Sequence, residues 1–422
     1  MSSSQPPALA CPVGMGSPIA TSGPRYPLYS PEYAADPQAA YRWMREKFGP
    51  LVPVDLAPGV PATLVIGYHA ARRILHDPDH FRADPSQWEQ TMALDCPVLP
   101  MTRKRPNALR SDGPLHTRYR QPTTAGLNTV NQLALQTTVA AIATQLIATL
   151  TTPGRTRADL LSDYAQPLAF AVLNTMLGCP EAIGTRVATG IAAMFEAGPA
   201  AEDGQVLFED ALADLVTLKR ATPARDVTSE MIDHPHDLSD TEMVHQLVTM
   251  YAAGIEPLTN LILNTLQLML TDERFGGNLL AGSLSARDAL DETLFVNPPL
   301  ANFCLSYPRQ PILIENFWLP AHQPVIISMA GCNADPEINN GRYQANRSHL
   351  AFSAGPHACP ANHISYVIAV EAIEQLLDAL PDMRLRCPAA ELVWRPGPFH
   401  RSLVALPVNY PASAPVPHPQ PR

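Results

Sequence analysis

Apolar residues along the chain recur mostly at helical spacing, which predicts a mainly α fold. The expected helices cover residues 41–48, 128–150, 160–177, 206–218 and 240–270. Ser239 is in the right place to cap the longest of them. One more helix is expected to end at Phe295, before two prolines, and a last long helix follows Cys359.

Short strand-like runs accompany the helices. Residues 51–55 and 62–66 are separated by a Pro-Gly turn, which is typical of a hairpin, and two more runs lie at 311–314 and 325–327. The stretch around 339–341, rich in asparagine and glycine, is expected to be irregular. The Ser- and Pro-rich ends predict a disordered segment at residues 1–30 and a flexible tail at 411–422.

Composition and charge narrow the class of protein. The 422 residues permit one large domain or two, and 46% apolar against 16% charged residues is enough for a sizeable core. A net charge of −10 argues against nucleic acid or an anionic membrane surface as a partner. The sequence has no long uninterrupted apolar run and no pattern of a secretory signal, so we expect a cytoplasmic protein that does not use a membrane.

The seven cysteines are dispersed along the chain, and no two of them form a CxxC pair. An odd and scattered set argues against a disulfide framework and against a zinc knuckle. Any cysteine chemistry is therefore expected to use a single residue.

One cysteine stands in the most informative motif of the sequence. Residues 352–360 read Phe-Ser-Ala-Gly-Pro-His-Ala-Cys-Pro and resemble the haem-ligand signature of cytochromes P450, whose key positions are Phe352, Gly355, His357 and Cys359. Proline is favoured at the first position of a helix, so Pro360 predicts that Cys359 lies at a helix start. Backbone N–H groups and the helix N-terminus would there lower the pKa of its thiol. The alternative interpretation is a buried free cysteine after a glycine turn.

The resemblance covers residues 57–410, including the segment 394–401, and is nearest to an actinomycete subgroup of the family. It implies the cytochrome P450 fold, a helical prism with small β-sheets, as one domain over residues 31–410. It also implies haem b (iron protoporphyrin IX) as the cofactor, with Cys359 as the iron ligand. A monomer that receives electrons from a ferredoxin and its ferredoxin reductase is expected.

The same resemblance assigns side chains to the two haem propionates. His116 and Arg120 match a family pair that holds one propionate, and residues four apart share a helix face. His357 is expected to reach the other propionate. The family's third anchor is an arginine, where this chain has Ser306, which leaves Arg309 as the remaining candidate. The alternatives are a solvated basic helix face and a surface histidine.

The Glu-x-x-Arg motif of the family is altered here to Glu292-Thr-Leu-Phe295. Phe295 cannot donate a hydrogen bond, and an unpaired buried carboxylate is costly. We therefore expect Arg342 or Arg347 to pair with Glu292, or its carboxylate to be partly hydrated. The alternative is that Glu292 is an ordinary exposed helix residue.

The family's oxygen-binding pattern, Ala-Gly-x-Asp/Glu-Thr, appears as Ala253-Gly254-Ile-Glu256-Pro257. The acid is kept and the alcohol that orients a proton-delivering water is lost. We expect Glu256 to hold a water near the iron, and Pro257 to bend the helix because it cannot donate to the carbonyl of Ala253. Thr259 lies on another side of the helix and is a poor substitute.

These residues predict a haem-thiolate monooxygenase that oxidises a small or medium-sized apolar metabolite. Loops at 88–101 and 182–201 are expected to shape the substrate site. A haem-bound sensor or regulatory partner with little turnover is the rival hypothesis, because two motifs are altered. A third possibility is an oxidase driven by peroxide. A proline at this position resembles peroxide-using fatty-acid P450s, although Glu256 has the wrong charge to bind a fatty-acid carboxylate.

The surface expected to meet a ferredoxin is unusual. Residues 348–383, the ligand loop and the helix after it, contain no lysine or arginine, so an acidic ferredoxin finds no positive charge there. The alternative docking patch predicted from the sequence consists of Arg103, Lys104 and Arg105, with Arg110 and Arg118.

Overall fold

The computed structural model describes residues 17–194, 199–275 and 284–412. The helices within these ranges are α1 (Pro31–Ala35), α2 (Pro37–Phe48), α3 (Tyr68–Leu75), α4 (Ser86–Glu89), α5 (Leu99–Thr102), α6 (Gly113–Asn128), α7 (Gln132–Leu150), α8 (Gln166–Met176), α9 (Glu181–Met194), α10 (Pro199–Ala221), α11 (Val227–Asp233), α12 (Asp240–Thr271), α13 (Ala286–Val296), α14 (Met329–Asn333) and α15 (Asn362–Ala379). Helices therefore dominate, as predicted.

The strands of the same ranges are short: β1 (Ser17–Pro18), β2 (Tyr26–Pro27), β3 (Leu51–Asp55), β4 (Pro61–Val65), β5 (Phe81–Arg82), β6 (Arg157–Asp159), β7 (Asn302–Pro308), β8 (Ile312–Ile314), β9 (Phe317–Leu319), β10 (Val325–Ser328), β11 (Arg384–Leu385) and β12 (Pro407–Asn409). They form a six-stranded sheet in the order β2-β3-β4-β10-β7-β5 and two three-stranded sheets, β1-β9-β8 and β11-β12-β6. The predicted hairpin is confirmed as the antiparallel pair β3–β4, in which Leu51 faces Val65.

The long helix α12 is the centre of the main core. Ser239 caps it as predicted, in a reciprocal capping box with Glu242. Its second half is apolar on most sides, and buried residues such as Leu261 and Ile262 pack in one cluster with residues of α7, α8, α13 and α15. Each fully buried leucine or isoleucine contributes about 1.5–3 kcal/mol. This core fixes α12 and α15 next to each other.

Helix α7 is long and apolar enough, by length and composition alone, to cross a membrane, with a mean hydropathy of 1.5. In the fold, its residues Leu135, Val139 and Ile147 are buried in the main core cluster. It is the one helix within the described ranges that meets this criterion. One apolar helix of this length also occurs as a core helix in proteins without a membrane segment.

Several predicted boundaries differ from the structure. Part of the N-terminal segment that we expected to be disordered is ordered. Strand β1 belongs to a three-stranded sheet and β2 to the six-stranded sheet, and Ile19 and Leu28 are buried. Residues 1–16 and 413–422 lie outside the described part. The predicted helix 128–150 begins slightly later in the structure, since residue 128 is the end of α6 and α7 begins at Gln132. The start of α6 was missed because its prolines and polar residues obscure the helical pattern.

The last long helix begins later than predicted. Helix α15 starts at Asn362, with Ala361 at the N-cap, so Pro360 is not its first residue. The chain first completes a 3₁₀ turn at Gly355–His357 and then a second turn at 360–361. Cys359 therefore precedes the helix, in the turn before its first N–H groups.

The altered Glu-x-x-Arg motif lies on α13, and the expected partners of Glu292 are wrong. Arg274 binds Glu292, with 2.7 Å between the guanidinium Nη2 and the carboxylate Oε1. Arg347 instead binds Asp291 at 2.5 Å, and the hydroxyl of Tyr366 donates to the same carboxylate at 3.0 Å. The buried ion pair has thus moved one residue towards the N-terminus of the helix.

Phe295 stands where the family motif has its arginine, and its side chain is part of the core. Its side chain is only 2% exposed, and its ring meets that of His349 edge to face at 5.4 Å between centroids. Both ring nitrogens of His349 lack a hydrogen-bond partner, and burial lowers its pKa to about 4, so it is neutral at pH 7. An uncharged aromatic contact therefore replaces a charged one at this position.

We expect Asp291→Asn to lower the free energy of unfolding by about 2–3 kcal/mol, because it leaves Arg347 and Tyr366 without their shared, buried acceptor. Glu292→Gln is the matched control on the same helix. The carboxylate of Glu292 is less buried than that of Asp291, and Arg274 keeps a second partner in Asp272, so we expect a loss below about 1 kcal/mol. Urea denaturation of both variants, followed by circular dichroism, measures the difference. Equal losses would contradict the shifted position of the ion pair.

Candidate functional site

The cysteine motif forms a closed loop between the six-stranded sheet and α15. The N–H of Cys359 donates to the carbonyl of Phe352 at 2.8 Å, and the N–H of Ala358 donates to that of Gly355 at 3.1 Å. These two bonds fold the segment back on itself and present the sulfur of Cys359 to a large internal cavity.

Gly355 is required in this loop for two reasons. Its φ of +70° lies in the left-handed region, and a Cβ at this position would lie 2.1 Å from the carbonyl oxygen of Leu75. The loop consequently packs directly on the end of α3. No other residue type fits without moving the backbone of one of the two segments.

The thiol of Cys359 is not acidic by itself. Burial raises its pKa, while the backbone N–H of Ala361 and the guanidinium of Arg120 act in the opposite direction. Burial outweighs these two groups, so the protein's own groups do not lower the pKa of this thiol. A thiolate at this position needs a metal cation, which deprotonates a coordinating thiol.

Three predicted anchors come together beside the loop. His116 and Arg120 lie on α6, and His357 lies on the loop itself. The rings of His116 and His357 are in contact, with centroids 4.3 Å apart, and Arg120 donates to the carbonyl of Ala358. Burial, followed by the neighbouring His116, Arg120 and Arg110, lowers the pKa of His357 to about 4.

No described acidic residue forms an ion pair with these basic side chains. His116 is buried and its Nε2 has no hydrogen-bond partner. The nearest carboxylate, that of Asp112, already accepts the backbone N–H groups of Ala83 at 2.8 Å and Asp84 at 3.2 Å. The residues present therefore fit a ligand that carries carboxylates, as the two propionates of haem do.

Arg309 does not join this group. Its side chain is exposed, its backbone N–H donates to the carbonyl of His80, and it does not line the cavity. The candidate anchor is therefore wrong, because β7 carries residue 309 past the cavity and out to solvent. Ser306, on the same strand, does line the cavity, and its buried hydroxyl has no partner.

The cavity encloses about 320 Å³ of solvent-accessible space. It is bounded by α6, α8, α12, β7 and the ligand loop, and most of its lining is apolar. The loops at 88–101 and 182–201 were expected to shape it, yet no described residue from either range is in the lining. Residues 108–110 and α8 take that place instead, and 195–198 lie outside the described part.

On α12, Ala253, Gly254 and Pro257 face the cavity, as predicted. A Cβ on Gly254 would lie 2.6 Å from a methyl group of Leu173, so α8 approaches this turn closely. The helix continues through Pro257, although the proline cannot donate to the carbonyl of Ala253. Thr259 is buried away from the cavity lining. This agrees with the expectation that it is a poor substitute for the missing alcohol.

Glu256 is the member of this motif that differs from expectation. Its carboxylate binds Arg395 and lies 3.8 Å from Nε2 of His400, and the residue is absent from the cavity lining. The expectation that Glu256 holds a water inside the cavity is wrong in this structure. Arg395 and His400 belong to the segment 394–401, which sequence reasoning had recognised without assigning it a partner.

Most cations of the docking patch predicted from the sequence are already engaged within the protein, and docking there stays a prediction. Lys104 binds Asp84 at 2.6 Å, Arg105 binds Glu209 at 3.4 Å, and Arg118 binds Glu242 at 2.5 Å. Arg110 is buried and lines the cavity. These cations balance local carboxylates or face inwards, so they are not free to meet a partner. Sequence proximity alone had suggested a common surface.

No family model matches the sequence. Among curated proteins, the chain is similar to cytochrome P450 monooxygenase PikC of Streptomyces venezuelae, with 29% identity over 395 residues that cover 90% of this chain and 92% of PikC. It is also similar to the mycinamicin IV hydroxylase/epoxidase of Micromonospora griseorubida, with 27% identity over 365 residues, 83% of this chain and 90% of the relative. The solved structure of CYP154C4 from Streptomyces sp. W2061 matches with a TM-score of 0.82 and 25% identity, over 92% of this chain and 98% of that chain.

The similarity thus extends over nearly the whole of each protein, in sequence and in fold. It agrees with the chemistry of the cavity, in which a cysteine faces an apolar space beside basic side chains that form no ion pair with a described acidic residue. A thiolate and a set of cations are what an iron porphyrin with two carboxylates requires. The chain belongs to the cytochrome P450 family and is a monooxygenase whose cofactor is haem b.

Proposed function

We propose that Cys359 binds the haem iron and that the enzyme oxidises a small or medium-sized apolar metabolite. Oxygen is the oxidant, and a ferredoxin with its reductase supplies the electrons. The observation that carries the proposal is the sulfur of Cys359 at the cavity, beside basic side chains that form no ion pair with a described acidic residue. We further propose a cytoplasmic monomer with a single domain that includes β1 and β2.

The chain's own residues have separate tasks in this proposal. The N–H of Ala361 orients the sulfur of Cys359, and His116, Arg120 and His357 bind the propionates. Haem, when bound, supplies the activation of oxygen. The apolar walls exclude water and hold the substrate by burial of its surface.

The lining favours an apolar substrate without a carboxylate. Gln246 and Thr249 are polar residues of α12 in the cavity wall, and both are already hydrogen-bonded to the loop before α6. Thr249 accepts from Asn107 at 2.8 Å, and Gln246 donates to the carbonyl of Pro106 at 3.0 Å. Few polar groups are left to fix a substrate, so its fit depends on shape.

Peroxide-driven oxidation is a second candidate function, and one observation favours it. The carboxylate of Glu256 is bound to Arg395 outside the cavity lining, and position 257 has no hydroxyl. The proton delivery that makes oxygen use efficient is therefore not provided by these two positions. Hydrogen peroxide supplies both oxygen and protons, and turnover with peroxide alone tests this function.

A different pair of arginines is a better candidate for ferredoxin docking. Arg72 and Arg73 are exposed on α3, the helix on which the ligand loop packs at Gly355. Neither forms an ion pair with another described residue. Free positive charge at the edge of the ligand loop attracts an acidic ferredoxin over the distance of a Debye length.

The reduced protein with carbon monoxide should absorb at roughly 450 nm if a thiolate binds the iron. We expect Cys359→Ala to lose that band or to lose haem. Cys304→Ala is the matched control, because Cys304 lines the same cavity and, like Cys359, is half-buried. Retention of the band in Cys359→Ala, or its loss in the control alone, would show that another residue is the ligand.

Neutralisation of Arg72 and Arg73 to glutamine should slow reduction by an acidic ferredoxin about tenfold at low salt, because long-range attraction is removed. The rate of reduction is followed by stopped flow at several salt concentrations. The control variant neutralises Arg157 and Arg384, which are exposed on the sheet β11-β12-β6. An equal effect of both double variants would argue against a docking site on α3.

We expect the wild-type enzyme to lose part of its reducing equivalents as hydrogen peroxide. Pro257→Thr should raise the product formed per NADPH oxidised about twofold or more, since it restores a hydroxyl at the cavity. Pro257→Ala is the control, because it returns the backbone N–H to α12 without the hydroxyl. Nearly complete coupling in the wild type would refute the expectation. Absence of NADPH use with every partner, despite a normal carbon monoxide spectrum, would favour the sensor hypothesis.

A further inference from the structure

Arg110 is a buried cation with no carboxylate partner. It lies at the end of a 3₁₀ turn before α6, and its side chain is 2% exposed. Its Nη2 donates to the carbonyl of Met101, and no described acidic residue forms an ion pair with it. Arginine keeps its charge in proteins, and a buried charge without a counter-charge is costly.

The guanidinium of Arg110 faces the cavity at β7. It lies over the ring of Phe303, with 5.6 Å from the guanidinium carbon to the ring centroid, and it lines the cavity together with Ser306. It is close enough to His357 to be among the causes that lower the pKa of that residue. Strand β7 itself carries no arginine, and Arg110, from another segment of the chain, lies against it.

The turn holds Arg110 in a defined position. The side chain of Asn107 accepts the backbone N–H of Arg110 at 3.0 Å and donates to Thr249 on α12 at 2.8 Å. Lys104 donates to the carbonyl of Arg110 at 2.8 Å. Preorganisation of this kind is typical of a residue that binds a ligand, because little side-chain freedom remains to be lost on binding.

We propose that Arg110 binds a haem propionate and so replaces the anchor that Ser306 cannot provide. The proposal rests on the haem site of the proposed function. Arg110, Arg120, His116 and His357 surround a space in which none of them forms an ion pair with a described acidic residue, and two propionates supply the missing negative charge. Ser306 and Arg110 line the same cavity, and the hydroxyl of Ser306 has no hydrogen-bond partner there.

The test measures retention of haem rather than turnover. The ferric protein is mixed with an excess of apomyoglobin, and the rate of haem transfer is recorded for the wild type and Arg110→Gln. We expect haem loss to become at least about tenfold faster, which corresponds to about 1.4 kcal/mol of lost binding for a charge-assisted bond. The reduction potential of the iron should fall, because a nearby positive charge is removed.

A second variant separates anchoring from a merely structural role. Addition of Ser306→Arg to Arg110→Gln returns a cation to the same cavity wall from β7, and we expect haem loss to slow again. Arg110→Lys keeps the charge and should lie between the wild type and Arg110→Gln, which covers the case in which glutamine prevents folding. Arg309→Gln, an exposed arginine just beyond β7, is the control and should behave as the wild type.

Two results would overturn the proposal. They are haem loss in Arg110→Gln within about twofold of the wild type, and haem loss in the double variant that is no slower than in Arg110→Gln. Failure of the haem site itself is distinguishable, since it is seen as a carbon monoxide band at roughly 450 nm that survives Cys359→Ala. A normal thiolate band with unchanged haem retention in Arg110→Gln would leave the proposed function intact and remove Arg110 from the haem site.

Discussion

The constraint on which the site depends is a group of buried basic side chains that forms no ion pair with a described acidic residue. His116, His357 and Arg120 are brought together by α6 and the ligand loop, and burial acts against the charged form of each. The protein tolerates this arrangement because it is made for a ligand with two carboxylates. The ligand loop is closed by backbone hydrogen bonds, and α15 packs with α12 in the main core.

Several charges elsewhere in the chain are balanced locally. Arg347 meets Asp291, Arg274 meets Glu292, and Arg395 meets Glu256. The contrast between these satisfied pairs and the unsatisfied cavity locates the ligand site without any motif. It also explains the altered Glu-x-x-Arg sequence, since the ion pair at Asp291 keeps the segment before the ligand loop in place while Phe295 fills the core.

Sequence reasoning succeeded where the signal was local. The glycine turn before Cys359, the cap at Ser239 and the hairpin β3–β4 each depend on neighbours in the chain. It failed where partners are distant in sequence. Arg274 reaches Glu292 only through tertiary packing, and Arg110 looked like a surface cation because it follows a basic run. The start of α15 was missed because a proline after a turn is compatible with several boundaries.

Pro257 has one more consequence for the ligand side of the cavity. A helix normally uses each carbonyl as an acceptor for the N–H four residues later, and proline has no N–H to give. The carbonyl of Ala253, a residue of the cavity wall, is thus left with lone pairs for another donor. The single substitution therefore changes the cavity wall twice, because it removes both a side-chain hydroxyl and a backbone N–H donor from α12.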